Sequence, residues 1–106
     1  RASRIEEEPI LAFDKLAIDL ASRRVTVEDQ EVKLTPTEYE VLKTLARHAG
    51  KVLTHRQLLR AIWGPDYEQE VHYLRVYIGQ LRQKIEPNPS QPVHLITEPG
   101  VGYRLL

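Results

Sequence analysis

Two periods divide the chain. From Ile10 to Leu34 apolar residues recur every second position: Leu16, Ile18 and Leu20 alternate with Ala17 and Asp19, and the pairs Val25/Val27 and Val32/Leu34 repeat the step. Period two predicts strands with one buried face. The turn-prone pairs Asp14-Lys15, Ser22-Arg23 and Glu28-Asp29 separate the runs. Connections this short cannot make a crossover, so the strands form an antiparallel meander of four. Ahead of them, Arg1 to Glu8 is polar, ends in a charge run and precedes Pro9. Residues 1–9 are expected to be the remnant of a linker and 10–106 the folded domain.

At Thr35 the period becomes helical. Thr35-Pro36-Thr37-Glu38 places a hydroxyl at the N-cap, proline at the first helical position and glutamate three residues after the cap, a capping box. Tyr39, Leu42, Leu45 and Ala46 form the apolar stripe, and Gly50 supplies a left-handed stop. Val52 and Leu53 bridge to a second capping box, Thr54 to Gln57, whose helix is lined by Leu58, Leu59, Ile62 and Trp63 and ends at Gly64-Pro65. After a polar loop, Val71, Leu74, Ile78, Leu81 and Ile85 fall at helical steps until Pro87. Leu95–Thr97 and Tyr103–Leu105 flank a glycine-bearing turn and read as a β-hairpin. The predicted class is α+β: an N-terminal four-stranded antiparallel sheet, three helices and a C-terminal hairpin.

Composition first argues against a nucleic-acid partner. The 106 residues carry 15 Lys/Arg and 15 Asp/Glu, for zero net charge and a pI near 7.1. The totals hide an asymmetry. Residues 1–40 hold six cations against ten acids, whereas 41–106 hold nine against five and all four histidines. A dipolar molecule with one anion-seeking face is expected. The absence of cysteine excludes disulfides and thiol chemistry. With Arg1 in front and no methionine anywhere, the sequence is expected to belong to a longer protein.

Enzyme chemistry finds no purchase. The histidines at 48, 55, 72 and 94 lack metal-pair spacing, and the serines at 3, 22 and 90 offer no nucleophile elbow. Asp66, Glu68, Glu70 and His72 lie mainly in a polar loop, for which solvation is the simpler account. No metal, cofactor or catalytic residue is expected.

The third helix is different. Opposite and beside its apolar face run His72, Arg75, Gly79 and Arg82, with Val76 and Gln83 adjacent, and Val71–Ile85 contains three cations and no carboxylate. A helix that faces only water usually mixes both signs. Arginine's fork suits guanine O6 and N7. Tyr73, Tyr77 and Lys84 make a flanking stripe on which packing is the main role of the Tyr77 ring. Trp63 reads as a core residue with its indole N–H at the rim, and His55 and Arg56 lie in the first turn of the second helix, where free N–H groups favour a phosphate.

The runs Leu34–Leu42, Val52–Leu59, Trp63-Gly64, Leu81–Ile85 and Gly100–Arg104 occur in an order that resembles the DNA-binding domain of OmpR/PhoB-type response regulators, over about residues 10–106. His72–Gly79 is most similar to members that control a high-affinity potassium-uptake operon. The resemblance implies a winged helix-turn-helix in the cytoplasm, without membrane attachment, that binds double-stranded DNA at direct repeats beside a second, head-to-tail copy. It also implies a receiver domain, absent from this sequence, that a sensor kinase phosphorylates. Carried over by position, His72, Arg75, Val76, Gly79, Arg82 and Gln83 would meet the groove. His55, Arg56, Trp63, Tyr73, Tyr77, Thr97 and Tyr103 would meet phosphates. The loop Gly64, Pro65, Asp66, Tyr67, Glu68, Gln69 and Glu70 would contact RNA polymerase. Where many relatives have a basic pair in the third helix and an arginine in the wing, this chain has Gly79-Gln80 and Pro99. A second reading is a winged helix used as a protein-docking module, which the neutral pI suits.

Overall fold

The computed structural model describes residues 10–106; the expected linker remnant, 1–9, lies outside them. The chain divides into two compact units, which meet in sequence between Lys33 and Leu34.

The first unit is the meander: β1 (Ile10–Phe13), β2 (Leu16–Asp19), β3 (Arg24–Val27) and β4 (Gln30–Val32), in sheet order β1-β2-β3-β4 with every pairing antiparallel. Ile18 faces Val25 across the β2–β3 pair, and both are buried, as are Leu16 and Leu20. Between Val27 and Gln30, Glu28 and Asp29 have φ of 52° and 66°. Two consecutive left-handed residues turn the chain with the twist that a two-residue hairpin needs.

In the second unit, β5 (Leu53–Thr54) lies between α1 (Pro36–Arg47) and α2 (His55–Trp63), and α3 (Val71–Ile85), β6 (Leu95–Glu98) and β7 (Gly102–Leu105) follow. Both capping boxes form. Thr35 Oγ1 accepts from Glu38 N–H at 3.2 Å while Glu38 accepts from Thr35 N–H at 2.9 Å, and Thr54 and Gln57 exchange the same pair at 3.0 and 2.8 Å. The core comprises Val41, Leu42 and Leu45 of α1, Leu58 and Leu59 of α2, Leu74, Ile78, Leu81 and Ile85 of α3, and Leu95 and Leu105 of the hairpin, each at most 1% exposed. Ile62 and Trp63, expected in the same stripe, are only half-buried.

The hairpin is larger than the sequence pattern predicts. β5 adds to it, giving a three-stranded sheet in the order β5-β7-β6 with Leu53 opposite Tyr103 and Thr54 opposite Gly102. Two residues are too few to display a period, so Val52-Leu53 read only as a bridge. Glycine at 102 is what permits the pairing. A Cβ there would sit 1.9 Å from the Leu53 carbonyl oxygen, far inside contact distance.

Candidate nucleic-acid interface

Burial of Leu74, Ile78, Leu81 and Ile85 fixes the rotation of α3 about its axis. Its opposite face then presents His72, Arg75, Val76, Gly79 and Gln83, all exposed. Arg75 is free of hydrogen bonds and ion pairs among the described residues. Nothing lies within 4 Å of where a Gly79 side chain would begin, so this glycine leaves a gap in the surface and fills no packing role. Val76 adds an apolar patch, 42% exposed, between the polar groups.

Arg82 departs from this pattern. Its guanidinium turns inward and donates to the Leu95 carbonyl from Nε at 3.1 Å and from Nη2 at 2.6 Å, and Nη2 also donates to Thr97 Oγ1 at 2.8 Å. The reason is positional. β6 pairs only with β7 and is therefore a sheet edge with outward backbone groups to satisfy. The last turn of α3 runs beside that edge, and Arg82 takes its carbonyl. Glu86, just past the helix, takes the N–H groups at the entry to that strand, accepting from Val93 at 2.8 Å, His94 at 3.0 Å and Leu95 at 2.7 Å. Of the cations expected at the groove, Arg82 thus joins helix to wing, and Thr97 is its hydrogen-bond partner.

Aromatic rings gather at the start of α3. Trp63 lies 5.4 Å from Tyr77 and 6.2 Å from Tyr73, centroid to centroid, and Tyr73 lies 5.9 Å from Tyr67. Trp63, Tyr73 and Tyr77 line an open groove of about 600 Å³ together with His72, Val76 and Gln80 of α3 and the threonines at the start of α1. On the other side of α2, His55 meets the edge of Tyr103 at 5.5 Å, and the Tyr103 ring is buried. The wing turn, Pro99 to Val101, is exposed and carries no cation; Gly100 supplies its left-handed residue, with φ of 74°.

The loop from Gly64 to Glu70 is more ordered in its bonding than a polar run suggests. It contains a 3-10 turn, Pro65–Tyr67. From its far end Glu68 accepts from Arg56 Nε at 2.9 Å and Arg60 Nη1 at 2.7 Å. Those two bonds, from Arg60 first and Arg56 second, hold its carboxyl below the usual carboxylate range. A second ion pair ties α3 to α1: Lys84 Nζ reaches Glu38 at 2.7 Å. Burial acts to raise the Glu38 pKa, but the bonds from Lys84 and from Thr35 outweigh it and the carboxyl is held low.

The sequence pattern indicates the α3 face but not the ion pairs of Glu68, the acceptor role of Glu86 or the Lys84–Glu38 pair. Only the first left a trace, since Arg56 and Arg60 stand four apart on one helix and share a side of it. Among the described residues no cluster of His, Asp or Glu is arranged to hold a metal, and no helix is long and apolar enough to cross a membrane.

Residues 29–105 match the family described as "Transcriptional regulatory protein, C terminal". The chain is 50% identical over 98 residues to the transcriptional regulatory protein KdpE of Mycobacterium tuberculosis, covering 92% of this chain and 43% of that protein. It is 48% identical over 99 residues to the KDP operon transcriptional regulatory protein KdpE of Escherichia coli, covering 93% of this chain and 44% of that one. The chain therefore spans less than half the length of these curated relatives. Among solved structures, the Klebsiella pneumoniae RstA DNA-binding domain in complex with the RstA box superposes with a TM-score of 0.83 at 28% identity, covering 92% of this chain and 97% of that one.

Proposed function

The chain belongs to the family of transcriptional regulatory protein C-terminal domains of the OmpR/PhoB type, and from that membership we propose that it is a sequence-specific double-stranded DNA-binding effector domain. The observation that carries the proposal is the face of α3: exposed, without a carboxylate, and centred on the unpaired Arg75. The major groove is about 12 Å wide and admits a helix edge-on. His72, Arg75, Val76 and Gln83 then meet base edges, and Gly79 lets the helix axis approach closely. Arg82 acts one step back, holding the wing through Leu95 and Thr97. Phosphate contacts fall to His55, Arg56, Trp63, Tyr73 and Tyr77, with Tyr103 setting the ring of His55. Arg56 also donates from Nε to Glu68, at 2.9 Å.

In this reading residues 1–9 are linker, 10–106 the DNA-binding domain, and a receiver domain addressed by a sensor kinase precedes them. Two copies bind direct repeats head to tail in the cytoplasm, and the loop Gly64–Glu70 meets RNA polymerase. Similarity to KdpE makes a potassium-uptake operon the proposed target. The domain performs no catalysis of its own.

Duplexes selected from a random pool by the purified domain provide the test. A labelled selected duplex should be displaced by unlabelled selected DNA at concentrations where random DNA fails, and affinity should fall steeply with salt. Equal displacement by both competitors would turn the reading toward a protein-docking module.

A further inference from the structure

We propose that Glu68 is an internal stand-in for a DNA phosphate: it holds Arg56 and Arg60 off the duplex, and a phosphate approaching α2 must displace it. The inference rests on the DNA-binding reading above. Arg56 and Arg60 are one turn apart on the outer side of α2, with side chains 73% and 63% exposed, whereas the Glu68 side chain is only 13% exposed. The acid sits beneath and the two cations reach over it. A single carboxylate accepts from both, at 2.9 and 2.7 Å, as a phosphate oxygen pair would. Thr54, His55 and the wing residues Gly100 and Val101 border the same shallow hollow. The hollow lies between the start of α2 and the wing, and Glu68 and Arg56 both line it.

Two consequences follow from charge. Non-specific attraction to DNA depends on how many phosphates the protein neutralises. With Arg56 and Arg60 engaged, α2 contributes little to that attraction, and the free Arg75 on α3 dominates first contact. The competition is also reciprocal. A duplex that captures the two arginines releases the loop from α2, and a partner that draws Gly64–Glu70 away hands two cations to DNA. Asp66 and Glu70, in the same loop, are exposed and have no hydrogen bond or ion pair through their side chains among the described residues. They do not share this role.

The experiment titrates the wild-type domain, Glu68→Gln, Glu68→Ala, Asp66→Asn and the triple variant Glu68→Gln/Arg56→Gln/Arg60→Gln against a random duplex of about 20 base pairs over a range of salt. Melting curves establish that each variant is folded. Glu68→Gln and Glu68→Ala should bind about two- to fivefold tighter, the scale of one exposed ion pair. The slope of log affinity against log salt should steepen by about 0.9 for each arginine freed. The triple variant should lose the gain, and Asp66→Asn should leave the slope unchanged. A folded Glu68→Ala with the wild-type slope, or an Asp66→Asn that steepens it equally, overturns the inference while DNA binding itself stands. A wild-type domain that shows no salt-dependent binding overturns the DNA-binding reading and this inference together.

Discussion

Replacing Arg82 by alanine separates a structural cation from a DNA-reading one. The substitution removes three hydrogen bonds, two to the Leu95 carbonyl and one to Thr97 Oγ1. Thr97 is exposed and its hydroxyl will find water, but Leu95 is fully buried and its carbonyl has a poorer substitute. A hydrogen bond to a charged group contributes about 1.5–3 kcal/mol. Because the arginine is half-exposed, about 2 kcal/mol is the expected loss for the whole cluster. At about 4–8 °C per kcal/mol for a domain near this size, the melting temperature should fall by roughly 8–16 °C. Arg82→Lys, with a point charge in place of the fork, should fall between alanine and wild type. Thr97→Val, which removes one bond, should cost about 1 kcal/mol or less. Thermal melts and urea titrations read all three. DNA affinity of Arg82→Ala should drop through a loosened wing, leaving the salt slope near the wild-type value. An Arg82→Ala domain that melts with the wild type yet loses DNA binding and about one unit of salt slope would refute the reasoning, placing the guanidinium on a phosphate.

Arg75→Ala should leave the melting temperature unchanged, since the side chain has no partner, and should weaken binding to a selected duplex by roughly 1–3 kcal/mol if Arg75 reads a guanine; unchanged titration curves would remove it from the interface. Gly79→Ala should raise stability by about 1 kcal/mol or less, because the space beside it is open. Gly79→Leu should stay folded and bind the selected duplex more weakly, and equal affinity would show that the gap has no part in recognition. Glu38 has a depressed folded-state pKa, so its contribution to stability is complete above the unfolded value of about 4.3 and is lost as pH falls through the folded value. Urea midpoints should therefore drop more steeply below about pH 4.3 in the wild type than in Lys84→Met, and parallel curves would contradict the pairing.

Legibility in the sequence followed the reach of each signal. The capping boxes at Thr35 and Thr54 span four residues each, so their local chemistry fixed both helix starts. The apolar spacing in α3 specified a face, and with it the exposed set His72, Arg75, Val76, Gly79 and Gln83. What the pattern does not reveal depends on contacts distant along the chain. Arg82 sits on the same stripe as Arg75, and nothing within α3 tells them apart; only the edge of β6, thirteen residues on, does. β5 exists because Gly102 lets the backbone of Leu53 approach, a fact about two segments that are far apart in sequence. Glu86 looks like a residue before a proline and is in fact the acceptor for three backbone N–H groups. Trp63, on the apolar stripe of α2, is only half-buried because α2 ends there, and its ring lies tilted against Tyr73 and Tyr77.

The most direct test of the central claim maps the backbone amides of the isotopically labelled domain by NMR as a selected duplex is added. The account predicts the largest shifts at His72, Arg75, Val76, Gly79 and Gln83, with smaller ones at His55 and Arg56 and at the wing turn, and little change at Glu86, His94 or Leu106. Shifts that leave the exposed face of α3 untouched and cluster elsewhere, at saturating duplex, would contradict it.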